Sequence, residues 1–407
     1  MKILVNCYAC SPFKGSEPGM GWNFVRCLAK KHELHIITES KFQPDLEKYF
    51  CEHPGEQEYY HFYFIRKNRH KKMRKIWPPS YYWFYKAWQK KAYKLALELE
   101  GKEHFDVIHQ LNMVGYREPG YLWKMGKPFV WGPIGGFGKV PWSLIPSMSL
   151  WGMVFYTCHN IINNWQMRMN WRVKAAMKKA SGLIAATKDV QTAIRQLYGK
   201  DSIIIPEVGL IGNGGCQISR RLPDEKLKIC WSGQHTPGKS LNLLLDSIAL
   251  GENEKVELHV MGEGSETKRW KRKSKRLGLR NIVWHGWVPR DNGLQIMQSC
   301  HLFCITSLKD LTSTVILEAL SFGLPVIALD HCGFSNVLTP TCGIKIAINN
   351  KKQVVEDFYK AIIEIEKDEE RRHLLAKGAQ IRSKEFNWED KAEAISKIYE
   401  TVPVQNI

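Results

Sequence analysis

The strongest constraint on the fold is a repeated alternation of short apolar segments with segments of helical spacing. Residues 19–31, for example, show the spacing of a helix directly before a short apolar segment at 32–38. The pattern stops near residue 206 and restarts near residue 226. Buried strands are predicted at 3–5, 32–38, 105–111, 127–133, 181–187, 227–234, 256–264, 281–288, 300–307 and 324–330. We therefore predict an α/β protein whose parallel sheets are covered by helices on both faces.

The two sets of strands are separated by a segment that is rich in glycine and proline. Residues 206–223 contain four glycines and two prolines, which is typical of a linker. We predict a Rossmann-like domain at 1–206, a linker at 207–225, a second Rossmann-like domain at 226–385, and a C-terminal helix within 386–407 that returns to the first domain. Parallel sheets bind ligands at the carboxyl ends of their strands, so we expect a cleft between the two domains.

Positive charge is concentrated in the first half of the chain. The whole sequence of 407 residues has a formal net charge of +19. Residues 1–206 contain 31 Lys and Arg against 15 Asp and Glu, whereas residues 207–407 contain 28 against 25. This asymmetry indicates a polyanionic partner for the first half, and nucleic acid and an anionic membrane surface are the two candidates.

The cysteines indicate a reducing compartment. There are eleven of them, without the spacing of a disulfide framework, which is typical of a cytoplasmic protein. Cys7 and Cys10 form a Cys-x-x-Cys, but no further metal ligands accompany them and no helix follows directly. We interpret both as packing residues at the end of a strand. Because no run of 18 strongly apolar residues occurs, we expect no membrane-spanning segment.

A glycine-rich segment, GSEPGMGW at 15–22, follows the first strand. Gly19 and Gly21 do not form a dinucleotide fingerprint, because the third glycine of Gly-x-Gly-x-x-Gly is absent and the segment begins well past the strand end. This argues against a dinucleotide-dependent oxidoreductase. We expect the two glycines to let the backbone of 16–22 approach a ligand, and Glu17 either contacts an acceptor or has a structural role.

The segment SLKDLTSTVILEALSFGLPVIALD at 307–330 combines a strand end, a polar loop and a helix. The helix is predicted to begin near Thr312, and its first N–H groups, at Thr312, Ser313, Thr314 and Val315, suit a phosphate. Asp310 lies in the loop before it, and Glu318 lies two turns into an otherwise apolar helix. A carboxylate in such surroundings needs a hydrogen-bond partner. The partner is either a pair of ligand hydroxyls or an arginine of the protein, in which case Asp310 is a helix cap.

The same segment resembles the E-x7-E signature of family 4 retaining glycosyltransferases, which have the GT-B fold of two Rossmann-like domains facing each other across a cleft. Asp310 stands in place of the first Glu of that signature, and Glu318 is the second. The resemblance implies that Asp310 faces the donor sugar and that Glu318 holds the ribose of the nucleotide. Because Asp is one methylene shorter than Glu, this departure bears on the identity of the donor sugar.

Three other segments agree with that resemblance. The loop SGQHTPGK at 232–239 is similar to the family's Gly-Arg-x-x-x-x-Lys loop, which implies that Lys239 contacts the donor diphosphate. Gln234 occupies the position of the Arg, so one cation is missing, and His235 is the nearest substitute. Gly286 lies in the region whose backbone is implied to read the base. His109 ends a predicted strand; it is either a core histidine or, as the resemblance implies, a contact to the donor sugar.

The resemblance covers nearly the whole chain and implies a reaction. It implies transfer of a sugar from a nucleotide-diphosphate sugar with retention at the anomeric carbon, without a further cofactor. The sequence contains no Asp-x-Asp, the usual metal–diphosphate signature of the other glycosyltransferase fold, so we expect metal independence. Residues 15–22 and 115–136 resemble a bacterial branch linked to surface polysaccharides. This implies a growing, lipid-linked glycan acceptor in capsule, O-antigen or exopolysaccharide assembly; the alternative is a basic nucleic-acid-binding protein with α/β domains.

Two segments suit the surface of an anionic membrane. Residues 66–94 combine a dense run of cations with Trp and Tyr, and residues 140–167 contain aromatic residues but no Asp, Glu, Lys or Arg. We expect a cytoplasmic protein that is peripheral on the inner face of the membrane, although packing of the aromatic residues within the domain is the alternative. No nucleic-acid partner is expected, because no zinc-finger, helix-turn-helix or RNP-type motif occurs. The basic run at 268–276 is interpreted as a solvated helix face.

Overall fold

A computed structural model of the chain describes residues 1–68, 80–212, 217–251 and 253–402. The strands, in chain order, are β1 (Lys2–Cys7), β2 (Glu33–Glu39), β3 (Tyr60–Ile65), β4 (Val107–Asn112), β5 (Phe129–Ile134), β6 (Gly182–Ala185), β7 (Ile203–Ile204), β8 (Leu227–Ser232), β9 (Val256–Met261), β10 (Ile282–Gly286), β11 (Leu302–Ile305), β12 (Val326–Leu329) and β13 (Gly343–Ile346).

The α-helices of the described residues surround these strands. In chain order they are α1 (Ser16–Leu28), α2 (Gln43–Glu52), α3 (Ser80–Glu103), α4 (Leu150–Met169), α5 (Trp171–Lys179), α6 (Lys188–Tyr198), α7 (Leu241–Ile248), α8 (Thr267–Arg276), α9 (Arg290–Gln298), α10 (Thr314–Ser321), α11 (Phe334–Val337), α12 (Lys351–Lys367), α13 (Glu369–Lys384) and α14 (Trp388–Thr401). No helix in the described parts of the chain is long and apolar enough to cross a membrane.

The chain forms two compact units, and each contains one parallel sheet. Unit 1 comprises Met1–Phe137, Trp165–Val208 and the chain from Trp388 onward, and unit 2 comprises Gly138–Asn164 and Gly209–Asn387. The described strands of unit 1 follow the order β3-β2-β1-β4-β5-β6-β7, and those of unit 2 the order β10-β9-β8-β11-β12-β13. Both are doubly wound Rossmann-type orders. Successive strands are added first on one side of the first strand of the unit and then on its other side, so the strand order reverses there.

The central strands are buried on both faces, which explains why they read as continuous apolar segments. Every residue of β4 and β5 is buried, as is every residue of β11 and β12. Parallel sheets covered by helices on both faces need such strands. The apolar segments predicted from the sequence coincide with these central strands.

The C-terminal helix belongs to unit 1. Helix α14 buries Trp388, Ile395 and Tyr399, and the ring of Trp388 meets that of Phe24 edge-on at 5.0 Å between centroids. The described part of the segment 386–407 thus packs on the unit that contains the N-terminus; residues 403–407 lie outside the described part of the chain.

The division into units differs most from the domain boundaries predicted from the sequence at residues 138–164. Residues 138–164 fall within the predicted first domain of 1–206, yet they belong to unit 2. The reason is hydrophobic burial, because Val140, Leu144 and Ile145 lie in the core cluster of unit 2. Within the predicted linker of 207–225, residues 213–216 lie outside the described residues.

Candidate active site

The two loops at the point where the strand order of unit 2 reverses carry the candidate ligand-binding residues. Strands β8 and β11 are hydrogen-bonded neighbours, and the loops after them contain Lys239 and Asp310. The Lys239 Nζ forms an ion pair with Asp310 Oδ2, and each side chain remains 20% exposed. Parallel sheets of this order bind ligands at this position. The structure therefore brings together two residues that lie far apart in the sequence.

Buried hydrogen bonds hold the two loops against each other. Thr306 Oγ1 donates to the carbonyl of Lys239 at 2.8 Å and accepts from Trp231 Nε1 at 3.1 Å. The amide of Leu308 donates to the carbonyl of Gly238 at 2.7 Å. Because these groups are buried, the backbone of Lys239 is fixed before any ligand arrives. A cation held in this way is preorganised for an anionic ligand.

The first turn of α10 adds backbone N–H groups next to this pair. The helix begins at Thr314, after Ser313, whose backbone has a φ of 69°. Thr312 is buried, whereas Thr314 and Val315 are half-buried. The N–H groups of a first helical turn have no partner within their own helix, and the helix dipole favours an anion there. The residues predicted for phosphate binding therefore occupy the start of α10.

Glu318 has a protein partner in the structure. Its carboxylate accepts a hydrogen bond from Arg290 Nη2, at 2.6 Å from Oε1. The Glu318 side chain is 12% exposed, but that of Arg290, at the start of α9, is 71% exposed. An arginine was one of the two partners that the sequence left open, although the sequence did not identify which arginine. Because Arg290 is so exposed, its guanidinium can move away from Glu318 without disturbing the core.

His235 does not replace the cation that is missing at Gln234. The His235 side chain is fully buried, and its Nδ1 lies 2.8 Å from Thr267 Oγ1. Burial lowers the pKa of His235 to about 4, so the ring is neutral at neutral pH. Gln234 itself is exposed. The substitution suggested by the sequence is therefore wrong, because a neutral imidazole cannot balance a diphosphate.

Gly286 lies at the carboxyl end of β10, the edge strand of the unit 2 sheet. Its backbone has a φ of 69°, and its carbonyl accepts a hydrogen bond from Gly262 N at 2.7 Å. The predicted base-reading backbone therefore lies in a tight turn at the same end of the sheet as the loops after β8 and β11. Its role stays a prediction.

Tyr156, on α4, is a site residue that sequence reasoning missed. Its hydroxyl accepts a hydrogen bond from the backbone amide of Gly238, next to Lys239. Burial raises the pKa of Tyr156, and the negative charge of Asp310 adds to this. Tyr156 belongs to the segment 140–167, which the sequence assigned to a membrane surface. No local signal could identify it, because its partner lies about eighty residues further along the chain.

His109, predicted to contact the donor sugar, is a core histidine of unit 1. It is fully buried, with Nε2 at 2.8 Å from the carbonyl of Gly132 and Nδ1 at 2.6 Å from the hydroxyl of Tyr399. Because a carbonyl only accepts, Nε2 donates to Gly132, and Nδ1 accepts from Tyr399. Burial lowers the pKa of His109 to about 4. Both ring nitrogens are occupied within unit 1, so the structure supports the alternative of a satisfied core residue.

Gly19 and Gly21 lie inside α1, where they allow close packing within unit 1. A Cβ at Gly21 would lie 2.2 Å from the carbonyl oxygen of Ala9 and 2.6 Å from Cys7 Sγ. A Cβ at Gly19 would meet the carbonyl oxygen of Lys14 at 2.3 Å. The close approach that these glycines permit is therefore to the chain itself, which corrects the expectation of a ligand there.

Glu17 has a structural role in the same part of unit 1. Its Oε1 accepts a hydrogen bond from the amide of Val114 at 2.9 Å, which ties α1 to the loop after β4. Burial raises the pKa of Glu17. The carboxylate is thus engaged by the backbone at the point where the strand order of unit 1 reverses.

The described part of the segment 66–94 packs mainly into unit 1. Lys67 is buried, with its Nζ 3.1 Å from the hydroxyl of Tyr8 and 3.6 Å from the ring centroid of Tyr81. Tyr85 and Trp88 are also buried, whereas Trp83 is exposed. Residues 69–79, which hold most of the cation run, lie outside the described residues. The described aromatic residues of this segment therefore favour core packing over a headgroup contact.

The comparisons with known proteins agree with the geometry of unit 2. Residues 217–382, about two fifths of the chain, match the family described as glycosyl transferases group 1. A lipopolysaccharide 1,6-galactosyltransferase of Salmonella typhimurium is 30% identical over 95 residues, which are 23% of this chain and 26% of that protein. The match to this curated relative thus spans about a quarter of its length. Nothing among these matches supports the nucleic-acid-binding alternative.

Solved structures resemble nearly the whole chain. The Anabaena protein HepE in complex with UDP has a TM-score of 0.64 and 17% identity, with 98% of this chain and 100% of that chain covered. The lipopolysaccharide outer core galactosyltransferase WaaB in its apo form has a TM-score of 0.65 and 14% identity, with 98% and 99% covered. These neighbours are glycosyltransferases of the GT-B fold, so the predicted fold class is confirmed.

Proposed function

We propose that this protein is a retaining glycosyltransferase that uses a nucleotide-diphosphate sugar. The observation that carries the proposal is the Lys239–Asp310 pair beside the start of α10, within the part of the chain that matches glycosyl transferases group 1. The complex of the similar Anabaena protein with UDP supports a nucleotide donor. Asp310 pairs with Lys239 in the structure, and the donor diphosphate would replace Asp310 as the partner of Lys239.

The chemistry requires stabilisation of a leaving diphosphate. The bond between the anomeric carbon and the diphosphate oxygen breaks, and the acceptor oxygen bonds to the same face of that carbon. The acceptor hydroxyl proton passes to the departing diphosphate. Lys239 and the N–H groups at the start of α10 would neutralise the charge that develops on the leaving group. In this scheme no metal ion or further cofactor takes part.

The remaining groups would position the donor. Asp310, released from Lys239, would orient the sugar hydroxyls, and Glu318 would accept hydrogen bonds from the ribose once Arg290 swings away. Arg290 could then face the diphosphate and provide the guanidinium that the exposed Gln234 cannot. A planar guanidinium binds phosphate oxygens in pairs, so this exchange would restore the missing cation.

We further propose that the acceptor is a growing, lipid-linked glycan in the assembly of a surface polysaccharide, at the cytoplasmic face of a membrane. The support is the resemblance of residues 15–22 and 115–136 to a bacterial polysaccharide branch, together with the similarity to the Salmonella galactosyltransferase of lipopolysaccharide. The positive charge of the chain suits a diphosphate-linked lipid carrier and the anionic surface in which it lies.

A donor screen tests this function. The full chain would be mixed with UDP-glucose, UDP-galactose, UDP-N-acetylglucosamine, GDP-mannose and ADP-glucose, and both the melting temperature and donor hydrolysis would be measured. We expect one nucleotide class to raise the melting temperature, because a ligand that binds only the folded state stabilises it. The Asp310→Asn variant should still bind the nucleotide but lose hydrolysis. If no nucleotide sugar stabilises or is hydrolysed, with or without added Mg²⁺, the proposal fails.

A further inference from the structure

Helix α4 presents a row of large apolar side chains to solvent, whereas an ordinary surface helix presents polar ones there. Leu150 is 77% exposed and Trp151 is 71% exposed. The same face continues with further exposed residues, which are Val154, Phe155, Ile161, Ile162, Trp165 and Met169. By contrast, Asn160 and Asn163 are buried. A contiguous apolar face of this size on a protein surface marks a contact with something else.

The orientation of α4 is fixed by its inner face. Asn160 accepts a hydrogen bond from the amide of Val140 at 3.1 Å and donates to the carbonyl of the same residue at 2.8 Å. Gly152 lies against Pro237, where a Cβ would be 2.5 Å from the proline Cβ. The helix therefore cannot turn its large apolar side chains inward without breaking buried hydrogen bonds and overlapping Pro237.

The charged residues that adjoin α4 in the sequence have one sign. Residues 119–188 contain no Asp or Glu, and the chain on either side of the apolar face carries Lys139, Arg168, Lys174, Lys178 and Lys179. All five are exposed. Two further exposed tryptophans, Trp142 and Trp171, lie just before and just after α4. Tryptophan at the edge of an apolar face, with lysine and arginine nearby, is typical of the interface of a lipid bilayer.

We propose that the outward face of α4 docks in the interface of an anionic lipid bilayer, with the helix lying in the plane of the membrane. The buried Asn160 and Asn163 argue against a spanning arrangement, whereas an interfacial helix needs one apolar face and nearby cations. A second copy of this chain fits less well, because it would bring together two segments that contain no carboxylate to pair with the cations. The docking itself does not depend on the proposed function. Only its purpose, which is access to a lipid-linked acceptor, rests on that function.

The test is flotation of the full chain with vesicles at low ionic strength. The vesicles would be phosphatidylcholine alone, or an equimolar mixture of phosphatidylcholine and phosphatidylglycerol. Trp151→Glu with Phe155→Glu places two carboxylates on the proposed face. The matched control is Leu374→Glu with Ile381→Glu in α13, where both residues are 66% exposed. We expect the wild type and the control to float with the anionic vesicles and the α4 variant to bind them roughly tenfold less.

Three results would overturn the proposal. The first is equal binding of the wild type to both kinds of vesicle, and the second is a loss of vesicle binding in the control variant as large as in the α4 variant. The third is a wild type that does not bind vesicles but forms a concentration-dependent dimer, which Trp151→Glu with Phe155→Glu dissociates. Thermal unfolding followed by circular dichroism, measured without vesicles, checks that the variants are folded. Binding of UDP, GDP and ADP separates this proposal from the proposed function, because nucleotide binding can fail while docking persists, and docking can fail while nucleotide binding persists.

Discussion

The two units share a strand order but treat their polar groups at the reversal point in opposite ways. In unit 2 the loops after β8 and β11 hold Lys239 and Asp310, which are partly exposed and paired with each other. In unit 1 the corresponding strands, β1 and β4, carry His109, which is buried with both nitrogens bonded within the unit. Glu17, which follows β1, is bonded to the backbone of the loop after β4.

The comparison separates polar groups that hold a fold from polar groups that can change partners. A neutral histidine with two buried hydrogen bonds gains nothing from a ligand, because any new bond requires the loss of an existing one. An ion pair that is 20% exposed at both ends can exchange one partner for a diphosphate. Sequence reasoning placed donor contacts in both units, but only in unit 2 does the structure leave the predicted side chains partly exposed.

Removal of Lys239 is the sharpest test of the difference between the partly exposed ion pair of unit 2 and the buried histidine of unit 1. Lys239→Ala should lower the rate of sugar transfer by about 10²–10³-fold, because a preorganised cation at the leaving group is removed. The measurement is the steady-state rate with the donor identified by screening. Lys345→Ala is the matched control, because Lys345 also pairs with an aspartate of unit 2, Asp330, at 3.8 Å. A wild-type rate in Lys239→Ala would place the diphosphate elsewhere.

Acid should weaken both units through buried histidines, of which His109 in unit 1 and His235 in unit 2 are two. Burial lowers the pKa values of His109 and His235 to about 4, whereas unfolded histidine titrates near 6.5. The unfolded state therefore binds more protons, and the free energy of unfolding should fall as the pH drops from 6.5 to 4, by up to about 3 kcal/mol per histidine. Denaturant titrations at several pH values measure this.

The variant His109→Gln turns that pH dependence into a test of unit 1. It should lose part of the acid sensitivity while the rate per folded molecule at neutral pH stays unchanged. His235→Gln is its counterpart in unit 2. If His109→Gln were as stable and as acid-sensitive as the wild type but inactive, His109 would have a role in the donor site. The distinction between a structural histidine in unit 1 and a ligand-binding pair in unit 2 would then be wrong.

Glu318→Gln should produce a smaller effect, on donor binding. The KM for the donor should rise about tenfold, because a charged acceptor for the ribose hydroxyls becomes a neutral amide. Glu364→Gln is the control, since Glu364 also forms an ion pair with an arginine of unit 2, Arg371. Arg290→Ala should raise the KM less than Glu318→Gln if it only holds the carboxylate. A larger rise in Arg290→Ala would show that its guanidinium contacts the diphosphate.

The smallest expected effect comes from the contact between α4 and the Lys239 loop. Gly152→Leu should force Pro237 away and weaken nucleotide binding about threefold to tenfold, because overpacking costs about 1 kcal/mol or more. Gly101→Leu in α3, where a Cβ would meet nothing within 4 Å, is the control. Unchanged nucleotide binding in Gly152→Leu would show that the loop is independent of α4.

The strands that the sequence predicted and those that it missed differ in their position. Central strands such as β4 and β11 are buried on both faces and were predicted from their apolar runs. The missed strands β3, β7 and β13 all lie at the edges of their sheets, where burial is partial and the pattern is mixed. Lys239, Asp310 and Glu318 were proposed from the sequence because the segments that contain them resemble motifs of a known family, and their roles stay predictions.

The sequence by itself determined the α/β class, the restart of the pattern near residue 226, and the loop and helix that carry the charged residues of unit 2. These features depend on local spacing, which the chain displays directly. Only the tertiary structure decided that His109 is sealed in a core, that Arg290 holds Glu318, that residues 138–164 belong to unit 2, and that α4 turns its apolar face outward. Each of these depends on contacts between distant parts of the chain, and burial, unlike spacing, is a property of the folded molecule alone.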